Sequence, residues 1–231
     1  MSTSTPLEVA IVDYGLGNLY SVKHACTQVG LRARITSDPS EVLTADAAVL
    51  PGVGAFGDAM ATLRRLDLAG ALRDFVATGK PFLGVCLGLQ LLMRESEEFG
   101  CHQGLGIIDG TVVRFASPTL AGRRLKVPHI SWNGIYRAAV STRGTDPWSA
   151  TLLRDVADGE PMYFVHSYFV KPADPATLLS TSSYGDVDFC SALQHRNITA
   201  CQFHPERSGP RGLQVYRNLA DRIQERARAT A

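Results

Sequence analysis

Cys86 stands in a sequence context that is typical of a catalytic nucleophile. The pentapeptide Gly84-Val85-Cys86-Leu87-Gly88 follows a short apolar run and is followed at once by helix-forming residues. This is the cysteine form of the nucleophile elbow, a sharp turn from a buried strand into a helix. Glycines two residues before and after the nucleophile leave room at such a turn, because a Cβ atom there would clash.

The predicted turn would place the Cys86 thiol at the carboxyl end of the strand and at the amino end of the helix. That environment favours the thiolate, which is the reactive form of cysteine. The backbone N–H of Leu87 would face the same point and could bind a developing oxyanion. The pentapeptide alone also fits a second interpretation, a buried structural cysteine between glycines at a tight turn.

A second candidate element lies far along the chain, at His204, Pro205 and Glu206. His204 follows an apolar run that predicts a strand, and Pro205 turns the chain so that Glu206 can reach back to the imidazole. A cysteine, a histidine and a carboxylate that fixes the histidine tautomer form the general triad of nucleophilic catalysis. On its own the tripeptide would fit a surface histidine beside the last helix. Together with the elbow, it predicts a triad of Cys86, His204 and Glu206.

Gly52, Val53 and Gly54 open a glycine-rich segment between a predicted strand and a predicted helix. Residues 52–57 match the dinucleotide-binding pattern G-x-G-x-x-G. That pattern needs an acidic residue at the end of the next strand to hold the ribose, and the next predicted strand ends at Cys86. We therefore favour the other interpretation, in which amides of this loop face Cys86 and supply a second oxyanion donor.

The composition is typical of a globular protein and argues against several other classes. Of the 231 residues 45% are hydrophobic and 19% are charged, and the formal net charge is +1. This balance does not predict binding to nucleic acid or to a membrane surface. The five cysteines are scattered without a C-x-x-C pair, and no histidine has metal-ligand spacing, so we expect reduced thiols in the cytoplasm and no metal. The amino-terminal residues do not resemble a signal peptide, and no apolar run is long enough to span a membrane.

The first hundred residues alternate between predicted strands and helices. Strands are predicted over residues 7–12, 32–36, 47–50 and 82–85, and helices over residues 19–29, from 39, and over 58–78 with a break near 68. Such alternation predicts a mostly parallel sheet flanked by helices. Functional groups gather at the carboxyl ends of the strands in these sheets, which is where the elbow and the glycine-rich loop would lie.

The second half of the chain predicts an additional antiparallel or mixed region. Strand-like runs lie at residues 107–115, 125–130, 162–170, 178–182, 189–194 and 198–203, with a hairpin turn at 195–197 and an amphipathic helix from 210. No linker or repeat separates the two halves. We therefore predict an α/β fold in a single domain over residues 1–231, with a structured core of about residues 7–225.

Several segments in order along the chain resemble one protein family. GVCLG with Gln90 after it, and HPE near the carboxyl end, resemble the class I, triad-type glutamine amidotransferases. DYGLGNLYSVKHA, LPGVGAFGDAM, VPHISWN, YFVHSYF and FHPERSG resemble, within that family, the glutaminase subunits of imidazole glycerol phosphate synthases. The resemblance implies the class I glutamine amidotransferase fold.

The resemblance also implies roles for the residues singled out above. Cys86 would attack the γ-carbonyl of L-glutamine, His204 would act as general base and acid, and Glu206 would orient the histidine. Gln90 and the glycine-rich loop would bind glutamine and the oxyanion. No cofactor is implied.

The resemblance further implies a partner, a cyclase subunit with a (β/α)8 barrel that forms a heterodimer with this chain. Ammonia from glutamine would pass to the cyclase, which makes imidazole glycerol phosphate and AICAR from PRFAR in histidine biosynthesis. Asn18 and Arg207 are our candidates for contact with the partner. Arg207 stands where many relatives have lysine, and Ser131 stands where many have glycine. Both differences bear on coupling to the partner more than on the triad.

Three other functions fit the same residues. The chain could be a different triad amidotransferase, a stand-alone γ-glutamyl amidase, or a catalytically silent subunit that only docks on a barrel. Glutamine hydrolysis that depends on the cyclase separates the first two from the resembled family. Labelling of Cys86 by an electrophile that mimics glutamine would exclude the third.

Overall fold

The computed structural model describes residues 7–139 and 146–229, and its helices and strands account for most of them. The helices are α1 Leu19–Gln28, α2 Pro39–Thr44, α3 Phe56–Arg65, α4 Leu68–Ala77, α5 Leu87–Leu91 and α6 Gly209–Ala229. The strands are β1 Glu8–Val12, β2 Arg32–Thr36, β3 Ala47–Leu50, β4 Phe82–Val85, β5 Met93–Ser96, β6 His102–Gln103, β7 Ile108–Arg114, β8 Thr119–Leu120, β9 Arg123–Arg124, β10 His129–Arg137, β11 Glu160–His166, β12 Tyr168–Pro172, β13 Leu178–Tyr184, β14 Val187–His195 and β15 Ile198–Cys201.

A mixed sheet of nine strands runs through both halves of the described chain. Its order is β11-β10-β13-β14-β15-β4-β3-β1-β2. The five strands from β15 to β2 are parallel, and the remaining strands are antiparallel to their neighbours. The predicted parallel sheet and its antiparallel extension are therefore one continuous sheet. The junction is the β14–β15 hairpin, whose turn was predicted at residues 195–197 and has Arg196 at a positive φ of 54°.

The four inner strands of the parallel part, β15, β4, β3 and β1, are buried on both faces. Their successive side chains point to opposite faces, and each face is covered. In β1, Val9 and Ile11 pack with α1 and α6, whereas Ala10 and Val12 pack with α2, α3 and α4. This explains why β1, β3 and β4 are almost continuously apolar in the sequence, whereas the edge strand β2 alternates and exposes Arg32 and Arg34. No helix in the described ranges is long and apolar enough to cross a membrane.

The helix boundaries follow local signals in the sequence. Asp38 precedes α2, and its side chain accepts a hydrogen bond from the Ser40 N–H with Pro39 at the first helical position, as predicted. Gly30 follows α1 with a φ of 82°, which glycine adopts without strain. The predicted break in the long helix is confirmed at Asp67, whose φ is 56°, and the first segment begins at Phe56, two residues earlier than predicted.

Two strand predictions in the second half were wrong. The run at residues 125–130 is not a strand along its length: β10 begins only at His129, after Pro128, whose nitrogen has no hydrogen to donate to a ladder. The apolar run at residues 162–170 is interrupted at Ser167. It forms β11 and β12, which pair with β10 and β7 in different sheets. A continuous apolar run contains no signal for such a change of sheet.

A second sheet of four strands, with the order β12-β7-β5-β6, covers part of the large one. β5 follows α5 after a single residue, so the helix of the elbow is only five residues long. Of these four strands, β5 and β6 were not predicted, because two to four residues carry too little periodicity. The small sheet places β12, and with it Tyr168, beside the elbow.

Candidate active site

Cys86 lies at a strained turn between β4 and α5. Its φ of 55° and ψ of −107° fall in a region that residues with a side chain rarely adopt. The Cys86 N–H donates to the Cys201 carbonyl over 2.8 Å, which continues the pairing of β4 with β15 into the turn. The cysteine side chain is nearly buried at the carboxyl edge of the sheet, as the predicted elbow requires.

The two glycines of the elbow are needed to different degrees. A Cβ atom on Gly84 would lie 3.0 Å from the Cβ of Ala200, which is a tight contact. A Cβ atom on Gly88 would lie 1.8 Å from the carbonyl oxygen of Leu50, at the end of β3. Because the second obstacle is backbone, no side-chain rotation can remove it. Gly88 is what lets α5 approach the sheet.

We expect Gly88→Ala to destabilise the protein by at least about 2 kcal/mol, because the added methyl group must displace the end of β3. Gly70→Ala is the matched control, since Gly70 lies within α4 and its Cβ atom would meet nothing within 4 Å. The control should be neutral or stabilising by about 0.5–1 kcal/mol. Urea unfolding of both variants measures the difference, and equal stabilities would contradict the close approach.

His204 and Glu206 form a buried pair at the next strand of the sheet. The imidazole Nδ1 of His204 lies 2.8 Å from Oε1 of Glu206, and the two side chains are 3% and 1% exposed. The short 3-10 helix Pro205–Arg207 folds the carboxylate back onto the ring. The His204 N–H donates to the Tyr163 carbonyl over 2.9 Å, so the backbone of the histidine is fixed as well.

Cys86 is near enough for its charge to act on the imidazole of His204. Burial lowers the pKa of His204, but the negative charge of Cys86 and the hydrogen bond and charge of Glu206 outweigh burial and raise it to about 10. The His204 Nε2 atom makes no hydrogen bond of good geometry within the described residues. Catalytic pairs often tighten only when substrate binds. A protonated His204 between two acidic groups is the form that this environment favours.

A cavity of about 260 Å³ opens beside Cys86. Five residues that the sequence singled out line it, together with residues of β11 and β12 and of the segments between strands. The lining residues are Val53, Gly54, Cys86, Leu87, Gln90, Glu98, Pro128, Val165, His166, Ser167 and Tyr168. The structure thus brings Val53, Gly54, Leu87 and Gln90 to the candidate nucleophile.

Gly52, unlike Val53 and Gly54, is not among the residues that line the cavity, and it packs closely against Tyr14 and Leu87. The Tyr14 hydroxyl donates to the Pro51 carbonyl over 2.8 Å. A Cβ atom on Gly52 would lie 2.1 Å from that hydroxyl oxygen and 2.9 Å from the Cβ of Leu87. Glycine is therefore required here by close packing. The predicted role of this loop in oxyanion binding stays a prediction.

The backbone N–H of Leu87 has the position that the elbow predicts. Leu87 is the first residue of α5, and the first N–H groups of a helix have no partner within the helix. The carbonyl of Cys86 accepts from the N–H groups of Leu89 and Gln90 over 3.0 and 3.3 Å. The Leu87 N–H thus has no partner within α5. Its predicted role, donation to the carbonyl oxygen of an intermediate bound to the sulfur, stays a prediction.

Gln90 is almost fully buried, and its amide is held by two acceptors. Its Nε2 donates to the Tyr168 carbonyl over 3.0 Å and to Oε1 of Gln202 over 3.1 Å. The amide oxygen of Gln90 is the part left to accept a donor from a bound ligand. A role in glutamine binding fits this arrangement and stays a prediction.

Sequence reasoning missed two polar residues of the site. Glu98 lines the cavity and accepts a hydrogen bond from the Phe56 N–H over 2.7 Å, and burial raises its pKa. Gln202 is fully buried, and its Nε2 lies 3.6 Å from Sγ of Cys86. One feature of the sequence points to Gln202, because it is a long polar side chain inside the apolar run at residues 198–203. Glu98 does not stand out in the sequence, because it lies in a polar loop.

His129 and His166 form a buried chain of hydrogen bonds that begins at the cavity wall, which His166 lines. His166 Nδ1 lies 2.9 Å from the Tyr168 carbonyl, His166 Nε2 lies 3.1 Å from His129 Nδ1, and His129 Nε2 lies 2.7 Å from the Ser131 hydroxyl. Burial lowers the pKa of His129 to about 4 and that of His166 to about 3. Both rings are neutral near pH 7, and Ser131 satisfies the outer nitrogen of the chain.

The two candidate interface residues lie outside the cavity. Asn18 is half-buried and precedes α1, and Arg207 is exposed at the end of the short helix that packs on α1. The Arg207 guanidinium lies 5.0 Å from the ring centre of Tyr163, which contacts the exposed Trp132 ring. Contact of Asn18 and Arg207 with a partner stays a prediction.

Comparison with known proteins identifies the family of this chain. The family model described as "Glutamine amidotransferase class-I" matches residues 10–222. The chain is 46% identical over 212 residues to the imidazole glycerol phosphate synthase subunit HisH of Rhodopirellula baltica, covering 92% of this chain and 96% of that protein. It is 47% identical over 216 residues to the HisH subunit of Syntrophotalea carbinolica, covering 92% and 99%. The chain therefore belongs to the class-I glutamine amidotransferase family and, within it, to the family of the HisH subunits.

Solved structures show the same fold at low sequence identity. The PurLQS structure from Thermotoga maritima matches with a TM-score of 0.68 and 16% identity, covering 96% of this chain and 100% of that chain. A glutamine amidotransferase from the same organism matches with a TM-score of 0.58 and 15% identity, covering 97% of this chain and 86% of that chain. The predicted fold class is confirmed.

Proposed function

We propose that this chain is the glutaminase subunit of an imidazole glycerol phosphate synthase. It hydrolyses L-glutamine to glutamate and ammonia, and the ammonia passes to a cyclase subunit. The observation that carries the proposal is the buried pair of His204 and Glu206 beside the strained Cys86 at a cavity mouth. Membership of the HisH family supports the choice of synthase.

The proposed reaction has two halves. The Cys86 thiolate attacks the γ-carbonyl carbon of glutamine, and a tetrahedral oxyanion forms. The carbon–nitrogen bond then breaks as protonated His204 gives its proton to the leaving nitrogen, which departs as ammonia and leaves a thioester. In the second half His204 takes a proton from water, the hydroxide attacks the thioester, and glutamate leaves as the thiolate is restored.

Glu206 keeps the histidine ready for both halves. Its carboxylate accepts from Nδ1 of His204, which leaves Nε2 to exchange the proton with sulfur, ammonia and water. The negative charge also stabilises the imidazolium that exists between the steps. The triad roles of Cys86, His204 and Glu206 rest on this geometry.

The oxyanion and the substrate would be held by the groups that line the cavity. Leu87 N–H and an amide of the loop Gly52, Val53 and Gly54 are the proposed oxyanion donors. The Gln90 amide oxygen and the Glu98 carboxylate suit the α-ammonium group of glutamine, since both accept hydrogen bonds. Glutamine is small enough for a cavity of about 260 Å³.

The partner is proposed to be a (β/α)8-barrel cyclase that docks beside the site to form a heterodimer. Asn18 and Arg207 would contribute to the contact. The chain works as one domain, which the continuous nine-stranded sheet supports. A cytoplasmic location is proposed because all five cysteines are free thiols.

The test is glutamine hydrolysis by the purified chain, alone and with the cyclase and its substrate. Hydrolysis that rises strongly with the loaded cyclase supports the proposal. Equal hydrolysis without the cyclase favours a stand-alone amidase. No hydrolysis in either case, together with no labelling of Cys86 by a glutamine-mimicking electrophile, favours a silent docking subunit.

We expect Val53→Gly to raise hydrolysis by the isolated chain and to shrink the stimulation by the partner. Val53 is not among the described residues with a positive φ, and its branched side chain resists the φ that a peptide flip of this loop requires. A resting loop that turns an N–H away lacks one oxyanion donor, which costs on the order of a hundred- to a thousandfold in rate.

Val53→Ala is the matched control for that variant, because it trims the side chain but keeps a Cβ atom that opposes positive φ. Steady-state hydrolysis with and without the loaded cyclase gives the basal rate and the stimulation for each variant. An equal rise in both variants would show that side-chain bulk, not backbone freedom, limits the basal rate. A wild-type chain that already works at the rate of the complex would show that no switch exists.

A further inference from the structure

The carbonyl of Tyr168 fixes the orientation of a chain of buried amides that ends at the nucleophile. A backbone carbonyl only accepts hydrogen bonds. The side-chain group of Gln90 that lies 3.0 Å from it must therefore be the amide nitrogen. Because His166 Nδ1 also lies 2.9 Å from this oxygen, the same carbonyl sets the histidine tautomer.

The orientation of Gln90 determines that of Gln202. The Gln90 nitrogen also lies 3.1 Å from the Gln202 amide, and two amide nitrogens cannot share a hydrogen bond, so Gln202 presents its oxygen. The nitrogen of Gln202 is then left to face Sγ of Cys86, at 3.6 Å. Reversing the Gln202 amide would bring nitrogen against nitrogen at one end and oxygen against the sulfur at the other.

Gln202 is also held where it is. The residue is fully buried, and its backbone N–H donates to the Ser191 carbonyl over 2.9 Å. It follows β15 directly, two residues before His204. A buried side chain with both ends of its amide engaged has little freedom to turn away.

We propose that Gln202 is a positioning residue, which donates an N–H to the Cys86 thiolate and holds the sulfur between the His204 imidazole and the substrate cavity. The inference rests on the proposed function. A hydrogen bond to an anion is stronger than one to a neutral group. The N–H of Gln202 therefore stabilises the thiolate form of Cys86 relative to the thiol. The oxygen of the same amide accepts a hydrogen bond from Gln90. Gln202 therefore contacts both the nucleophile and a proposed substrate-binding residue.

The test is the pH dependence of alkylation of Cys86 by iodoacetamide, followed in the full chain by mass spectrometry of the Cys86 peptide. In Gln202→Glu the donor becomes a carboxylate of the same shape. We expect the midpoint of the alkylation profile to move up by at least about one pH unit, which is a tenfold loss of thiolate at a fixed pH below the midpoint. Gln202→Met removes the donor without adding charge, and should move the midpoint in the same direction by less.

Two controls separate positioning from misfolding. Cys101 is an exposed free thiol in the same chain, and its alkylation profile should stay unchanged in both variants. Gln194→Glu makes the same chemical change on β14. There the Gln194 amide donates to the Arg196 carbonyl and accepts from the Thr199 hydroxyl. This variant should leave the alkylation profile of Cys86 unchanged. Thermal unfolding shows which variants are folded.

An unchanged Cys86 midpoint in both Gln202 variants would overturn the inference, even if glutamine hydrolysis fell. A shifted midpoint with unchanged Cys101 supports it. Alkylation needs neither glutamine nor the cyclase, so the shift can be measured even if the wild-type complex fails to hydrolyse glutamine. A failure of the wild-type complex to hydrolyse glutamine would count against the proposed function but not against the role of Gln202.

Discussion

Replacing Cys86 with alanine is expected to abolish glutamine-dependent synthesis by the complex while leaving the fold and the docking of the chain intact. In the proposed mechanism the sulfur forms the covalent bond to the γ-carbonyl carbon, and alanine has no atom that can replace it. The smaller side chain removes few contacts, because the thiol already borders a cavity. The positive φ of residue 86 remains and is tolerated no worse by alanine than by cysteine.

The complex with Cys86→Ala should still make product when ammonium salts are supplied, because the second reaction takes place on the cyclase. Glutamine- and ammonia-dependent synthesis are measured side by side, with thermal unfolding as a check on the fold. Cys101→Ala is the matched control, since Cys101 is exposed and lies outside the cavity lining. Glutaminase activity that persists in Cys86→Ala would remove the cysteine from the mechanism.

The elbow was predictable because its constraints are local. Five consecutive residues encode a strand end, a strained turn and a helix start, and the structure shows Cys86 at a φ of 55° with Gly88 pressed against β3. The pairing of His204 with Glu206 was predictable for the same reason, since only Pro205 separates them. That β15 lies beside β4, and so brings Cys86 to His204, did not follow from the spacing. The triad prediction that brings the two residues together came from the combination of the two motifs, and the family resemblance implied the same.

The support behind the triad could not be predicted, because it consists of contacts between distant segments. Gln202 reaches Cys86 across 116 residues of sequence, and Tyr14 reaches the loop before Gly52 across 37. A polar residue in an apolar run shows that a partner must exist, since buried polar groups are paired. It does not show which partner.

The division of residues 162–170 into two sheets was hidden for a different reason. Both β11 and β12 are apolar, so the hydrophobic pattern continues across the break at Ser167. The break has a consequence at the site, because it turns the chain so that residues 165–168 line the cavity. The resemblance placed this segment in the family without giving its geometry.

We expect Glu206→Gln to lose less activity than His204→Ala, although both losses should be large. His204→Ala removes the group that carries the proton in both halves of the reaction, and in comparable triads such a change costs on the order of a millionfold in kcat. Glu206→Gln keeps a side chain that can hydrogen-bond Nδ1 but loses the charge that stabilises the imidazolium. Loss of the third triad member costs on the order of ten-thousandfold.

The structure adds a pH signature to this comparison. The negative charge of Glu206 is one of the causes that raise the pKa of His204. Its removal should lower that pKa, so the pH profile of the residual activity in Glu206→Gln should shift to lower pH. Hydrolysis of glutamine by the loaded complex is measured from about pH 5 to about pH 11, a range that includes the ordinary histidine pKa and the raised value of about 10. This profile tests both the order of the losses and the direction of the shift. Wild-type activity in Glu206→Gln would mean that the carboxylate serves only the short helix at residues 205–207, and that His204 acts without an orienting partner.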